Sequence, residues 1–89
     1  MDIPIKEIIS IVSLQLGEKN ISVEQRLVED LGAESADIAN IIATLEEKYG
    51  IFINEEKIAQ IKTVQDIHKI LSQIIKDQKD SWVQWLYKR

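Results

Sequence analysis

The sequence predicts an all-α fold, a small four-helix bundle, on three observations. Ile, Leu and Val recur at helical spacing in three separate stretches. Helix start and stop residues bracket those stretches. One long and two short connections join them, which suits a bundle of neighbouring helices.

Asp2 is placed to cap a first helix, with Pro4 in its first turn, where a missing N–H costs nothing. Ile5, Ile8, Ile9, Val12 and Leu16 form its inner face, Ile11 and Leu14 lie off that stripe, and Gly17 stops it. Residues 18–34 form a long connection, in which Ser22 and Gln25 fit a capping box and Leu27, Val28 and Leu31 are expected to pin the loop to the core. So long a connection in a compact domain is often functional. Ile38, Ile41, Ile42, Leu45 and Tyr49 give the second helix the clearest pattern, ended by Gly50. Ile51-Phe52-Ile53 reads as an extended apolar plug. Asn54 caps a short third helix of roughly 55–60, and Thr63 with Asp66 make a capping box for an extended last helix whose inner face is Val64, Ile67, Leu71, Ile74 and Ile75.

The 89 residues suffice for one domain. The expected division is a bundle over 1–79 and an aromatic extension over 80–89. Apolar residues make up 45% and charged residues 29%, which argues against disorder. Without cysteine there is neither a disulfide framework nor a zinc-finger site, and no metal site is expected. No run approaches a membrane span and no secretory signal is apparent, so a soluble cytoplasmic protein without stable membrane insertion is expected. A net charge of −4 argues against nucleic acid and favours basic protein partners.

The informative feature is Asp30-Leu31-Gly32-Ala33-Glu34-Ser35, directly ahead of the second helix. It sets one hydroxyl at a helix N-terminus, where unpaired N–H groups and the dipole favour an anion. A serine there is also an ordinary N-cap. The run Glu29-Asp30-Leu31-Gly32-Ala33-Glu34-Ser35-Ala36-Asp37 resembles the prosthetic-group site of acyl carrier proteins. Leu45-Glu46-Glu47-Lys48-Tyr49-Gly50-Ile51 looks like the end of that family's second helix, and Asn54-Glu55-Glu56 with Ile61-Lys62-Thr63-Val64-Gln65-Asp66-Ile67 like its third helix and the start of its fourth. The matches run in order from about Ile8 to Leu71.

The resemblance implies a bundle of acyl-carrier type that is a carrier and not an enzyme. Ser35 would hold 4′-phosphopantetheine, added by a separate phosphopantetheinyl transferase. Acyl intermediates would ride as thioesters on that arm to acyl-transferring or synthase enzymes of fatty-acid, lipid or polyketide synthesis, through basic patches on those partners. An imported thiol fits a chain without cysteine. Aminoacyl or peptidyl cargo is a close variant, and an unmodified interaction module on the same fold is the alternative from another class.

The chain departs from the family at several positions. Glu34-Ser35-Ala36 stands where Asp-Ser-Leu is usual, Asn40 where an acid is usual, and Ala43 where Met is frequent. A specialised carrier for a dedicated pathway follows. Glu34, Asp37, Glu46 and Glu47 are the partner-recognition candidates, against the plainer reading of Glu46 and Glu47 as a solvated helix face. Ile38, Ala39, Ile42, Ala43, Tyr49, Phe52 and Ile61 are candidates for lining an acyl pocket. Ala39 and Ala43 would enlarge it if they face inward and are merely good helix formers if they face outward.

Trp82, Trp85 and Leu86 share a helical face beyond the family's usual length. That face suits a partner-binding or self-association surface, since Trp and Tyr are enriched at hot spots. It equally suits a tail that folds back over exposed core. The oligomeric state stays open at this level. His68, the single histidine, has no readable catalytic partners and is expected to be structural.

Overall fold

The computed structural model describes the backbone of residues 3–87 and the side chains of residues 3–78. Four helices follow one another: α1 (Ile5–Leu16), α2 (Ser35–Tyr49), α3 (Glu55–Ala59) and α4 (Val64–Tyr87). α1 packs against both α2 and α4. Among the described residues there is no β-strand, only an isolated antiparallel bridge between Arg26 and Thr63.

The helices form where apolar spacing and caps place them. Pro4 occupies the N-cap position of α1, and Gly17 ends the helix in the left-handed conformation. Asp2 lies outside the described residues. Asn54 Oδ1 accepts from Lys57 N–H at 2.9 Å at the start of α3. Thr63 and Asp66 form the expected reciprocal pair: Asp66 N–H donates to Thr63 Oγ1 at 3.1 Å, and Thr63 N–H donates to Asp66 Oδ2 at 3.1 Å. Between Ser22 and Gln25 the chain makes a single turn, closed by Gln25 N–H on the Ser22 carbonyl and Ser22 N–H on Gln25 Oε1, and no helix grows from it. One turn leaves most of its fixed dihedrals uncompensated by hydrogen bonds, so such a nucleus does not propagate by itself.

Ile8 and Val12 of α1, Ile41, Ile42 and Leu45 of α2, and Val64, Ile67, Ile70 and Leu71 of α4 form the helical part of the core. The connections supply nearly as much: Ile3, Ile21, Leu27, Ala33, Ile51, Ile53 and Ile61 are all buried. A bundle this small cannot close its ends with helix faces alone, so loop side chains fill them. Spacing within helices did not reveal Ile3, Ile21, Ala33 or Ile70.

Two apolar expectations are corrected. Val28 is 56% exposed and does not pin the loop. Residues 26–32 coil in a helix-like turn, with Asp30 N–H on the Arg26 carbonyl and Gly32 N–H on the Val28 carbonyl. At that pitch Leu27 and Leu31 share the inner side while Val28 is rotated away. Phe52 is 75% exposed while Ile51 and Ile53 are buried, the two-residue alternation of an extended segment.

Polar contacts also join the elements. The Tyr49 hydroxyl donates to Glu7 Oε2, linking the end of α2 to α1, and Lys48 Nζ lies 3.9 Å from the same carboxylate. His68 Nε2 donates to the Ile3 carbonyl at 2.9 Å, so the histidine is a structural tie between α4 and the N-terminal segment. α4 spans 24 residues, roughly 36 Å at the helical rise, and runs unbroken through residue 79. The side chains of Trp82, Trp85 and Leu86 lie outside the described residues. No helix in the described part is long and apolar enough to cross a membrane.

Leu27 is 1% exposed. Leu27→Ala is expected to lower stability by about 2–5 kcal/mol in urea unfolding, the usual range for a fully buried Leu. Burial first, and then the bond to the Glu7 carboxylate, push the Tyr49 hydroxyl up from 10.0 to about 12. In the unfolded chain it ionises at its ordinary value, so this contribution is complete below pH 10.0 and is lost as pH rises toward about 12. An ultraviolet titration of wild type against Tyr49→Phe is expected to lose the late-ionising component.

Candidate functional site

The long loop delivers Ser35 to a fixed place. Leu27 N–H donates to the Lys62 carbonyl at 2.8 Å, and Gln65 N–H donates to the Val23 carbonyl at 3.1 Å. These bonds fasten the loop to the connection between α3 and α4. From that anchor the chain turns through Gly32 (φ +71°), and Ala33 N–H returns to the Leu27 carbonyl at 2.8 Å. A Cβ on Gly32 would meet nothing within 4 Å, so its backbone angle and not close approach calls for glycine. Ala33 is buried, and Glu34 and Ser35 emerge exposed.

Ser35 is not the cap of α2. Glu34 holds the N-cap position in extended conformation (φ −96°, ψ 169°), and Ser35 is the first helical residue. Asp37 Oδ2 accepts from the Glu34 N–H at 2.9 Å, and Asp37 Oδ1 accepts from Gln15 Nε2 at 3.2 Å. The second bond ties the start of α2 to α1. The Ser35 hydroxyl is thus presented to solvent at a helix N-terminus whose entry is held by its neighbours.

The four acidic candidates separate into two kinds. Asp37 is half-buried, and its bonds, first that to the Glu34 backbone and then that to Gln15, hold its carboxyl below the usual carboxylate range. Glu46 is also half-buried, and its Oε2 accepts from Ile53 N–H at 2.9 Å, securing the segment after α2. Glu34 and Glu47 are exposed. Asp37 and Glu46 therefore serve the fold directly, while Glu34 and Glu47 face outward. Asp30 pairs with Arg26, whose backbone N–H and guanidinium hold its carboxyl below the usual range.

A groove of about 440 Å³ runs from Ser35 along α2 toward α3. Ile38, Ala39, Ile42, Ala43, Glu46 and Ile58 complete its described lining. Ala39 and Ala43 are exposed along it, so they form a shallow wall and do not open the core. The groove does not include the other three pocket candidates. Tyr49 is turned to Glu7 and Ile61 is in the core. Phe52 lines a separate hollow of about 420 Å³ with Asn54, Lys57, Ile74, Asp77 and Gln78. Sequence spacing missed Ile58, although it is the only large apolar residue of α3. The bond from Gln15 had no sequence signal, because it joins residues 22 positions apart.

Comparison with known proteins decides the family. A family model described as the phosphopantetheine attachment site matches residues 6–71. An acyl carrier protein of Buchnera aphidicola is 39% identical over 72 residues, covering 79% of this chain and 92% of that protein. The chain belongs to the acyl carrier protein family. A further acyl carrier protein, from Wolinella succinogenes, is 38% identical over 63 residues, covering 71% of this chain and 82% of its own. A solved structure from Mycobacterium tuberculosis, described as an acyl carrier protein, superposes with a TM-score of 0.72 at 29% identity, covering 76% of this chain and 93% of its own. The cofactor of acyl carrier proteins is 4′-phosphopantetheine, and they are carriers, not catalysts.

The bonds on Asp37 predict an acid sensitivity. A carboxyl held below its ordinary value of 3.8 stabilises the fold above that value, and the contribution is lost as pH falls through the lowered value. A carboxyl NMR titration is expected to show Asp37 titrating below 3.8, and Gln15→Ala to raise its midpoint part of the way.

Proposed function

We propose that Ser35 carries the 4′-phosphopantetheine arm and that the arm presents acyl thioesters to partner enzymes of fatty-acid, lipid or polyketide synthesis in the cytoplasm. One observation carries this reading: an exposed serine hydroxyl, free of capping duty, stands at the N-terminus of α2 and at the mouth of a largely apolar groove. A phosphodiester on that oxygen would meet the first N–H groups of α2 and the positive end of its dipole. The groove between α2 and α3 offers the attached acyl group apolar cover by Ile38, Ile42 and Ile58.

The departures at the site bear on partner choice. With Ala36 and Asn40 exposed beside Ser35, this face has neither a bulky apolar knob nor a central acid. Glu34 and Glu47 supply the outward negative charge for enzymes with basic patches, mainly by raising encounter rates. Such a face suits partners dedicated to this carrier.

Co-expression with a broad-specificity phosphopantetheinyl transferase, followed by intact-mass measurement, tests the assignment. One prosthetic-group mass is expected on the wild-type chain and none on Ser35→Ala. Because Glu34 holds the cap position, Ser35→Ala is expected to keep its helical circular dichroism. An unmodified wild type with every transferase tried would favour an interaction module, and a mass gain persisting in Ser35→Ala would place the arm elsewhere.

A further inference from the structure

The end of α4 and the Phe52 hollow have no part in the carrier site. The family match stops at residue 71, and among the described side chains Leu71 is the last fully buried one of α4, yet the helix continues to Tyr87. Residues 72–87 add roughly 24 Å of helix. An isolated helical stretch of this length is marginal in water without a packed face. Its sequence carries one: Ile74, Ile75, Gln78, Trp82, Trp85 and Leu86 fall on a single helical side, continuous with the buried stripe of Val64, Ile67 and Leu71. At the base of this stretch lies the hollow of about 420 Å³, lined by Ile74, Asp77 and Gln78 of α4 together with Phe52, Asn54 and Lys57. Phe52 is 75% exposed there.

We propose that this surface is a self-association site, in which the aromatic end of α4 from one copy lies antiparallel over the Phe52 hollow of a second copy, and the reverse. The spacing permits it. The hollow sits at the level of residues 74–78, and residues 82–86 lie about 12 Å further along the helix, so two antiparallel copies bring each aromatic segment to the other's hollow. A helix cannot fold back to fill a hollow at its own base, whereas a second copy reaches it without bending.

Charge favours another copy as the occupant. The chain is −4 overall, but residues 72–89 carry Lys76, Lys79, Lys88 and Arg89 against Asp77 and Asp80, a net +2, which leaves −6 on residues 1–71. Each copy therefore offers a basic, aromatic end to an acidic body, with Glu55 and Glu56 exposed next to Asn54 at the hollow. The area also suffices. Phe52, Trp82 and Trp85 would bury about 450–750 Å² per copy at the usual 150–250 Å² each. With Ile74, Ile75 and Leu86 this approaches the ~800 Å² per partner of a stable interface. Ser35 stays clear of the hollow lining, so two carriers would be joined with both attachment hydroxyls open.

Light scattering and sedimentation of the full chain over a wide dilution series test this. Twice the chain mass of 10.2 kDa is expected at high concentration, falling to one on dilution. Phe52→Ser and Trp85→Ser are each expected to weaken the association at least about tenfold, as loss of an aromatic anchor does. Far-UV circular dichroism checks that both variants keep the fold. A single-chain mass at every concentration overturns the proposal. So does a dimer that Phe52→Ser leaves unchanged, since the hollow would then lie outside the contact.

Discussion

The burial of Leu27 organises the rest of this molecule. Eighteen residues separate the end of α1 from the start of α2, and an untethered loop of that length would leave Ser35 without a defined position. Leu27 fixes the middle of the loop in the core, while its N–H reaches the Lys62 carbonyl and its carbonyl receives Ala33 N–H. One residue thus joins the loop, the α3–α4 connection and the entry to α2. The Arg26–Thr63 bridge and the bond from Gln65 to Val23 extend this seam on either side. The exposed tip of the site is held by backbone hydrogen bonds over apolar packing, a combination that salt does not screen.

The carboxylates show how one element serves two ends. Sequence presents Glu34, Asp37, Glu46 and Glu47 as a single acidic set along α2. In the fold, Asp37 locks the first turn and Glu46 locks the segment after the last, each by accepting a backbone N–H. Both ends of the helix beside the groove are secured by side chains from that helix. The charge left to face a partner is smaller than the sequence count suggests, and it is carried by the two ends of α2 more than by its middle.

Much of this was legible in the sequence, for physical reasons. Helix limits followed from local chemistry: the Thr63/Asp66 box, the Asn54 cap, and Gly17 and Gly50 at left-handed stops. Ile8, Val12, Ile41, Leu45, Val64, Ile67 and Leu71 were assigned to the core by spacing because all lie inside regular helices. Apart from Ile70 inside α4, legibility failed where the chain is irregular. Val28 and Phe52 are apolar yet exposed, and Ala33 and Ile21 are buried, because turns follow no fixed period. At the site, Ile38, Ala39, Ile42 and Ala43 come together because three- and four-residue steps set them on one side of α2. Tyr49 and Phe52 were drawn elsewhere by neighbours distant in sequence: Glu7 on α1 for the first, and α4 for the hollow beside the second.

The placement of Ser35 one residue inside α2 separates two roles that a capping serine would combine. A cap oxygen that became esterified would lose its grip on the helix each time it was loaded. Here the gripping is left to Glu34 and Asp37, so the attachment proposed at position 35 need not disturb the entry of the helix. On that proposal, a chain lacking the hydroxyl would remain a correctly shaped but empty competitor for the same partners.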